Sequence, residues 1–258
     1  MNVLELLSLK GKTALVTGGS RGLGLQMAEA LGEMGARVAI TARKKDELDQ
    51  AVSHLVEAGI EAVSFVCDIG KREAIAPLAE AVLKKFAKVD ILVNNAGATW
   101  GAPAEQHPLE AWDKLVNVNL SGAFALTQLI ASKSMIPAKW GRIINVASVA
   151  GLLGQDPRFA ATAAYTATKH GLVGLTRQLA AEWGVHGITV NAICPGFFPS
   201  KMTRATLDTA GKLIQEWTPT RRLGGNEDLK GLAVLLASEA SRHISGQAIA
   251  VDGGASII

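Results

Sequence analysis

Cysteine is scarce in this chain: Cys67 and Cys194 are the only two in 258 residues. They lie far apart, in the apolar contexts Phe65-Val66-Cys67 and Ala192-Ile193-Cys194. Two buried free thiols fit those contexts, and a disulfide framework or a cysteine metal site does not. Free thiols in turn suit a reducing cytoplasm. The histidines, His54, His107, His170, His186 and His243, are isolated and none is spaced as a zinc pair, so metal chemistry is not expected. A stripe of one charge is also missing. Lys and Arg number 26 against 23 Asp and Glu, a net +3 with the basic residues scattered. That pattern excludes a nucleic-acid surface. No positive region precedes Val3-Leu4-Glu5-Leu6-Leu7, so no secretory signal is read there. The longest uncharged stretch, Leu115 to Ser132, carries Asn117, Asn119, Ser121, Thr127 and Gln128. It reads as a buried helix, with no membrane span expected. Linkers, repeats and low-complexity segments are absent. Tyrosine is scarcest of all, with Tyr165 the one example.

A chain of this size buries about three-quarters of its unfolded surface and needs no staples. Seven short apolar runs read as strands: Thr13 to Thr17, Arg37 to Thr41, Ala62 to Cys67, Ile91 to Asn94, Arg142 to Ala147, Ile188 to Ile193 and Ala248 to Val251. Segments with helical spacing separate most of them: Leu23 to Met34, Asp46 to Ala58, Lys71 to Phe86, Leu109 to Ala131 (one long helix or a broken one) and Tyr165 to Trp183. Continuous apolar strands alternating with helices are how a parallel sheet covered on both faces reads. The expected architecture is a single α/β domain over 1–258, a doubly wound parallel sheet binding its ligand at the C-terminal strand ends. Residues 197–223 lack strand signals and are expected to form a lid or short helices.

Thr17-Gly18-Gly19-Ser20-Arg21-Gly22-Leu23-Gly24 joins the first strand to the first long helix. Glycines there permit a tight turn and let a pyrophosphate approach the free N–H groups of a helix N-terminus. An ordinary tight turn is the bland alternative. After the second strand an NAD site commonly carries an acid for the ribose hydroxyls. Here the order is Thr41-Ala42-Arg43-Lys44-Lys45, with no acid until Asp46. Arg43 could hold a 2′-phosphate with help from Arg21. A solvated loop is the alternative, but cations near a helix N-terminus are unfavourable without an anion. Asp68, with Ile69 after the third strand, either accepts from an adenine amino group or serves as a turn or cap residue.

Tyr165-Thr166-Ala167-Thr168-Lys169 places Tyr and Lys at i and i+4 on one helix face. An ammonium beside a phenol favours the phenolate and is expected to lower its pKa from about 10. The phenol could then give or take a proton near neutrality. Ser148, just after the fifth strand, could polarise a carbonyl, or could simply cap a turn. Asn119 lies within an apolar helical stretch, where Asn is a poor interior residue and must be paired. It either holds a helix kink or anchors a water that passes protons to Lys169, or both.

Together these residues resemble the short-chain dehydrogenase/reductase family over essentially the whole chain. The carriers are Thr17-Gly18-x-x-x-Gly22-x-Gly24, Asn94-Asn95-Ala96-Gly97, Asn119, Ser148, Tyr165-x-x-x-Lys169, Pro195-Gly196 and Val251-Asp252-Gly253-Gly254. The resemblance implies a Rossmann-type fold and an enzyme that moves a hydride between nicotinamide and a carbonyl or alcohol carbon. It implies Tyr165 as acid/base, Lys169 lowering its pKa and holding the nicotinamide ribose, Ser148 on the reacting oxygen and Asn119 on a relay water. For the cofactor it implies Gly18, Ser20, Arg21, Gly22, Leu23, Gly24, Arg43, Asp68, Ile69 and Asn95-Ala96-Gly97. At the nicotinamide it implies Pro195, Gly196, Phe198, Ser200 and Met202 beside Tyr165 and Lys169. NADP(H) is expected over NAD(H), and a homotetramer or homodimer is the expected assembly.

Two departures matter. Seventeen residues, rather than the thirteen common in the family, separate Ser148 from Tyr165, so the loop from Leu152 to Thr162 must bulge beside the site. Ser200 stands where Thr is common. These features, with Asn2-Val3-Leu4-Glu5-Leu6-Leu7, resemble the gluconate 5-dehydrogenase-like branch. A sugar-acid substrate would need a cation, and Arg158 and Arg204 are the candidates by position. The alternative is a reductase of 3-oxoacyl thioesters or bulky apolar ketones, with Trp100, Phe159, Phe197, Phe198 and Trp217 rimming the site. Those aromatics could equally be core or subunit packing. A non-catalytic binding protein on the same fold could lose Tyr, Lys or Ser freely, and here all three stand in register.

Overall fold

The computed structural model describes residues 1–156 and 161–258. A short helix α1 (Val3–Leu7) is held by a capping box. The Asn2 side chain accepts from the Glu5 N–H and the Glu5 carboxylate accepts from the Asn2 N–H, both at 2.9 Å. Then follow β1 (Thr13–Thr17), α2 (Gly22–Glu33), β2 (Arg37–Ala42), α3 (Lys45–Glu57), β3 (Ala62–Val66), α4 (Arg72–Phe86) and β4 (Ile91–Asn94). Three helical pieces come next: α5 (Leu109–Val116), α6 (Gly122–Ile130) and α7 (Ile136–Ala138). Two π-helical turns, Asn117–Ser121 and Ala131–Met135, join them into one rod. The chain ends with β5 (Gly141–Val146), α8 (Ala163–Trp183), β6 (Ile188–Pro195), α9 (Arg204–Trp217), α10 (Lys230–Ala237) and β7 (Ala248–Val251).

All seven strands are parallel, in the order β3-β2-β1-β4-β5-β6-β7. Successive residues face opposite layers, which is why the strands are apolar throughout. Ala14, Val16, Val38 and Ile40 pack on one side with Met27, Leu31, Leu48 and Leu55 of α2 and α3 and with Leu236 of α10. Leu15, Ala39 and Leu92 pack on the other with Ile75, Leu78, Leu126 and Leu179 of α4, α6 and α8. The expected doubly wound sheet is therefore present. The sequence reading assigned nothing between Leu223 and Ala248. The structure puts α10 there, with Ala233, Leu236 and Ala237 buried. Eight residues are too few to display a helical period.

The rod Leu109–Ala138 is long and apolar enough, by length and composition, to cross a membrane. It instead lies along the protein, with Leu115, Asn119, Leu126, Ile130 and Met135 buried. Beneath the C-terminal strand ends a polar thread crosses the layers. The Asn94 amide donates to Thr127 Oγ1 at 2.8 Å and to Asn145 Oδ1 at 2.9 Å, and the Asn145 amide donates to Thr176 Oγ1 at 2.8 Å. It ties α6, β4, β5 and α8 at a fixed rotation, because a buried amide without a partner costs about 1–3 kcal/mol. The helix that carries Tyr165 is thereby set against the strand that delivers Ser148.

Candidate active site

Strand order reverses between β1 and β4, and a groove of about 800 Å³ opens there at the C-terminal strand ends. The glycine turn forms one wall. Gly18 and Gly22 have φ of +64° and +54°, which only glycine adopts without strain. A Cβ on Gly24 would lie 2.3 Å from the Gly18 carbonyl oxygen and 2.4 Å from Asn95 Nδ2, so helix and turn meet backbone to backbone. A Cβ on Gly22 would meet nothing within 4 Å. No side chain caps the start of α2. An uncapped helix N-terminus facing open space fits a pyrophosphate. Ser20, Arg21, Gly22, Leu23 and Gly24 all line the groove.

Thr17 and Asn95 hold this turn to β4. The Asn95 side chain donates to the carbonyls of Thr17 and Gly18 at 2.9 and 3.1 Å. Thr17 Oγ1 accepts from the Asn95 and Ala96 N–H groups, both at 3.0 Å. Asn95 thus builds the turn with its side chain, while Asn95, Ala96 and Gly97 form groove wall. Asp68 and Ile69 line the groove too. Asp68 Oδ1 accepts from the Gly70 N–H at 3.1 Å, the turn role weighed for it above.

At the end of β2, Arg43 and Lys44 are exposed and line the groove. Arg21 reaches the same place but is already paired: its Nη1 donates to Glu47 Oε1 at 2.6 Å. Lys44 Nζ lies 3.2 Å from the same oxygen. Glu47 lies beyond the strand end, where its spacing gives no sign of the groove. The first turn of α3 swings its carboxylate back into the groove.

Ser148, Tyr165 and Lys169 meet at the other end of the groove. The Ser148 hydroxyl accepts from the Ala150 N–H at 3.1 Å, capping a short 3-10 turn, and is hydrogen-bonded to Tyr165. The turn-capping reading of Ser148 therefore holds in the structure. Lys169 is buried; its ammonium donates to the Val146 carbonyl at 2.6 Å and lies 5.6 Å from the centre of the Tyr165 ring. Burial pulls the Lys169 ammonium down to about 8. The expected lowering of the phenol is not what this geometry gives. Burial pushes the Tyr165 phenol up, and the Ser148 hydrogen bond only partly offsets it. Desolvation of the phenolate outweighs the favourable contacts.

Asn119 sits in the first π-helical turn, buried. Its Oδ1 accepts from the Ala98 N–H at 2.8 Å, and its amide donates to the Ala98 carbonyl and to Thr168 Oγ1, both at 3.0 Å. Asn119 thus stands in a π-helical turn and joins the strand-end loop to α8 one residue before Lys169. Thr168 was not picked out in the sequence, because its neighbours there are helical and its partner is 49 residues away.

Pro195, Gly196, Phe198, Ser200 and Met202 line the groove opposite the glycine turn. Ser200 and Thr203 exchange hydrogen bonds, with Ser200 N–H donating to Thr203 Oγ1 at 3.0 Å and Thr203 N–H to Ser200 Oγ at 3.2 Å. This knot precedes α9, so residues 197–223 hold one long helix and no strand. Gly196 and Phe198 also border a second cavity of about 410 Å³, lined by Val149, Leu153, Phe197, Ile214, Trp217 and Ile258 among others. Arg204 is exposed and lines neither cavity, so the structure does not support it as the substrate cation. It starts α9, whose first turn points it to solvent. Trp100, 48% exposed, lines neither cavity as well. Arg158 and Phe159 lie outside the described residues. Among those described, no cluster of His, Cys, Asp and Glu is arranged to hold a metal ion.

A seven-stranded parallel sheet with this groove and this Ser, Tyr and Lys defines a class, and the chain belongs to it: the short chain dehydrogenase family, whose model matches residues 12–211. It is an oxidoreductase acting on CH–OH groups, in a family that binds a nicotinamide cofactor. Within the family it falls in the gluconate 5-dehydrogenase-like branch. It is 41% identical to a 2-dehydro-3-deoxy-D-gluconate 5-dehydrogenase of Bacillus subtilis, over 97% of this chain and 96% of the relative. It is 36% identical to a 3-oxoacyl-[acyl-carrier-protein] reductase of Staphylococcus epidermidis, over 94% of this chain and 98% of that one. A gluconate 5-dehydrogenase from Burkholderia cenocepacia, crystallised with NADP and tartrate, superposes with a TM-score of 0.93 at 34% identity, over all of both chains.

Proposed function

We propose that this enzyme interconverts a carbonyl and a secondary alcohol on a sugar acid such as gluconate and 5-ketogluconate, using NADP(H), with Tyr165 as acid/base. The observation that carries the reading is the convergence of the Ser148 hydroxyl, the Tyr165 phenol and the Lys169 ammonium at one end of a groove whose other end is an uncapped helix N-terminus. When bound, the cofactor supplies or accepts the hydride at its nicotinamide. The chain does the rest. Gly18 to Gly24 bind the pyrophosphate through backbone N–H groups. Arg21, Arg43 and Lys44 neutralise a 2′-phosphate. Ser148 donates to the substrate oxygen and orients it, and the Tyr165 hydroxyl delivers its proton to that oxygen in reduction and removes it in oxidation. Lys169 holds positive charge beside the phenol, and Asn119 fixes the helix on which Tyr165 and Lys169 stand. Residues 197–223 serve as the lid, and the exposed Trp112 and Phe124 supply apolar surface for a homotetramer.

A second reading has its own support. The cavity next to the groove has an apolar and aromatic side formed by Val149, Leu153, Phe197, Phe198, Ile214 and Trp217, which suits a bulky ketone or an acyl thioester. Among the described residues its one arginine, Arg222, is already held by Asp228, with N–O distances of 2.5 and 2.8 Å.

The test is oxidation of NADPH and NADH against 5-ketogluconate, an acetoacetyl thioester and a cyclic ketone. Turnover of the sugar acid with NADPH is expected. Turnover of the thioester or ketone alone would replace the first reading with the second.

A further inference from the structure

Glu47 is the acid that the end of β2 lacks. Its carboxylate faces the groove, with its side chain 23% exposed, and one oxygen, Oε1, takes both Arg21 at 2.6 Å and Lys44 at 3.2 Å. Lys201, from the loop before α9, acts on it electrostatically from across the groove. Burial pushes the carboxyl up, but the Lys44 hydrogen bond and the charges of Arg21, Lys44 and Lys201 outweigh that, leaving it below its ordinary value and ionised at neutral pH. Glu47 is thus an anion standing among the cations expected to receive a phosphate, and a 2′-phosphate of about −1.5 to −2 charge cannot share them without repulsion. Because both cations bind Oε1, the second oxygen can still accept a hydrogen bond.

We propose that Glu47 sets the breadth of cofactor use. Its carboxylate accepts the ribose 2′-hydroxyl of NAD(H), and it gives up Arg21 and Lys44 to the 2′-phosphate of NADP(H). The site then takes both forms, with a smaller NADP(H) preference than its cations alone would produce. This rests on the reading of the groove as the dinucleotide site. It concerns a residue on α3, beyond the strand end where a ribose-binding acid is commonly found.

The experiment is fluorescence titration of NADPH and NADH binding, without substrate, to the wild type and to Glu47→Gln. Gln keeps the shape and removes the charge. NADPH is expected to bind about two- to fivefold tighter and NADH weaker by a similar factor, the size of one partly exposed charge pair. If NADPH binds more weakly to the variant, Glu47 positions Arg21 for the phosphate and the proposal is wrong. If NADH affinity holds, or both cofactors move together, the ribose role is overturned. A wild type that binds neither cofactor would overturn the dinucleotide reading itself, a result distinct from the others because it needs no variant.

Discussion

Lys169 places its ammonium over the ring of Tyr165. Its ammonium lies 5.6 Å from the ring centre, and its short hydrogen bond, 2.6 Å, goes to the Val146 carbonyl. The two side chains share a helix face, yet in the protein alone the ammonium is tied to the sheet. Burial dominates both groups in opposite senses, raising the phenol and lowering the ammonium.

Tyr165 is the single tyrosine, so an ultraviolet titration of phenolate in the cofactor-free protein reads it without overlap from other phenols. Its midpoint is expected above the ordinary 10.0. A midpoint well below that value would mean that Lys169 already governs the phenol.

Tyr165→Phe removes the hydroxyl and leaves the ring. Turnover is expected to fall by about 10²–10⁴-fold or more, with NADPH affinity nearly unchanged. Steady-state rates and binding titrations check the two halves, and retained turnover would sink the acid/base role.

Lys169 makes stability depend on pH. Its folded value of about 8 lies below the 10.5 of an exposed lysine. Between those values the unfolded chain binds more protons, so stability rises with pH there, by up to roughly 3 kcal/mol for a shift of this size. Tyr165 acts the other way, its raised value costing stability only as pH climbs past 10.0. Urea unfolding of wild type and Lys169→Met from pH 7 to about 10 isolates the lysine. The wild type is expected to gain on the variant across that range, and a constant difference would contradict the burial account.

Gly151 brings the turn after Ser148 against α8. A Cβ there would lie 2.7 Å from the Lys169 carbonyl oxygen and 2.9 Å from its carbon. Gly151→Ala must therefore part the turn from the helix, costing about 1–3 kcal/mol. Chemical denaturation reads that loss. Activity is expected to fall further than stability explains, because Ser148 and Lys169 ride on the two parts being separated.

Arg43→Ala is expected to weaken NADPH far more than NADH, by about tenfold or more for a lost phosphate contact. Equal losses for both cofactors in a binding titration would remove Arg43 from the phosphate site.

What could be read in the sequence was local. The glycine turn and Tyr165-x-x-x-Lys169 show their chemistry through short spacings, and seven apolar runs show a two-sided sheet. Glu47 stayed hidden because only the packing of α3 decides that its first turn faces the groove. Thr168 and the Asn94–Asn145 pair were illegible for the same reason, since their partners are 49 and 51 residues distant. At the phenol, spacing shows a neighbouring charge and does not show burial. Arg204 was named by position along the chain, but the start of α9 turns it outward.

Thr17 and Asn95 are 78 residues apart, and their mutual hydrogen bonds hold the glycine turn in shape. The strands they end, β1 and β4, are sheet neighbours, but β2 and β3 are completed between them in the chain. A growing chain that has made only the first three strands therefore has the glycines without the clamp. The cradle becomes rigid when β4 docks, so a dinucleotide has no preformed seat on the emerging N-terminal part. It would act instead as a thermodynamic lock on the assembled sheet, adding stability in proportion to the logarithm of its concentration.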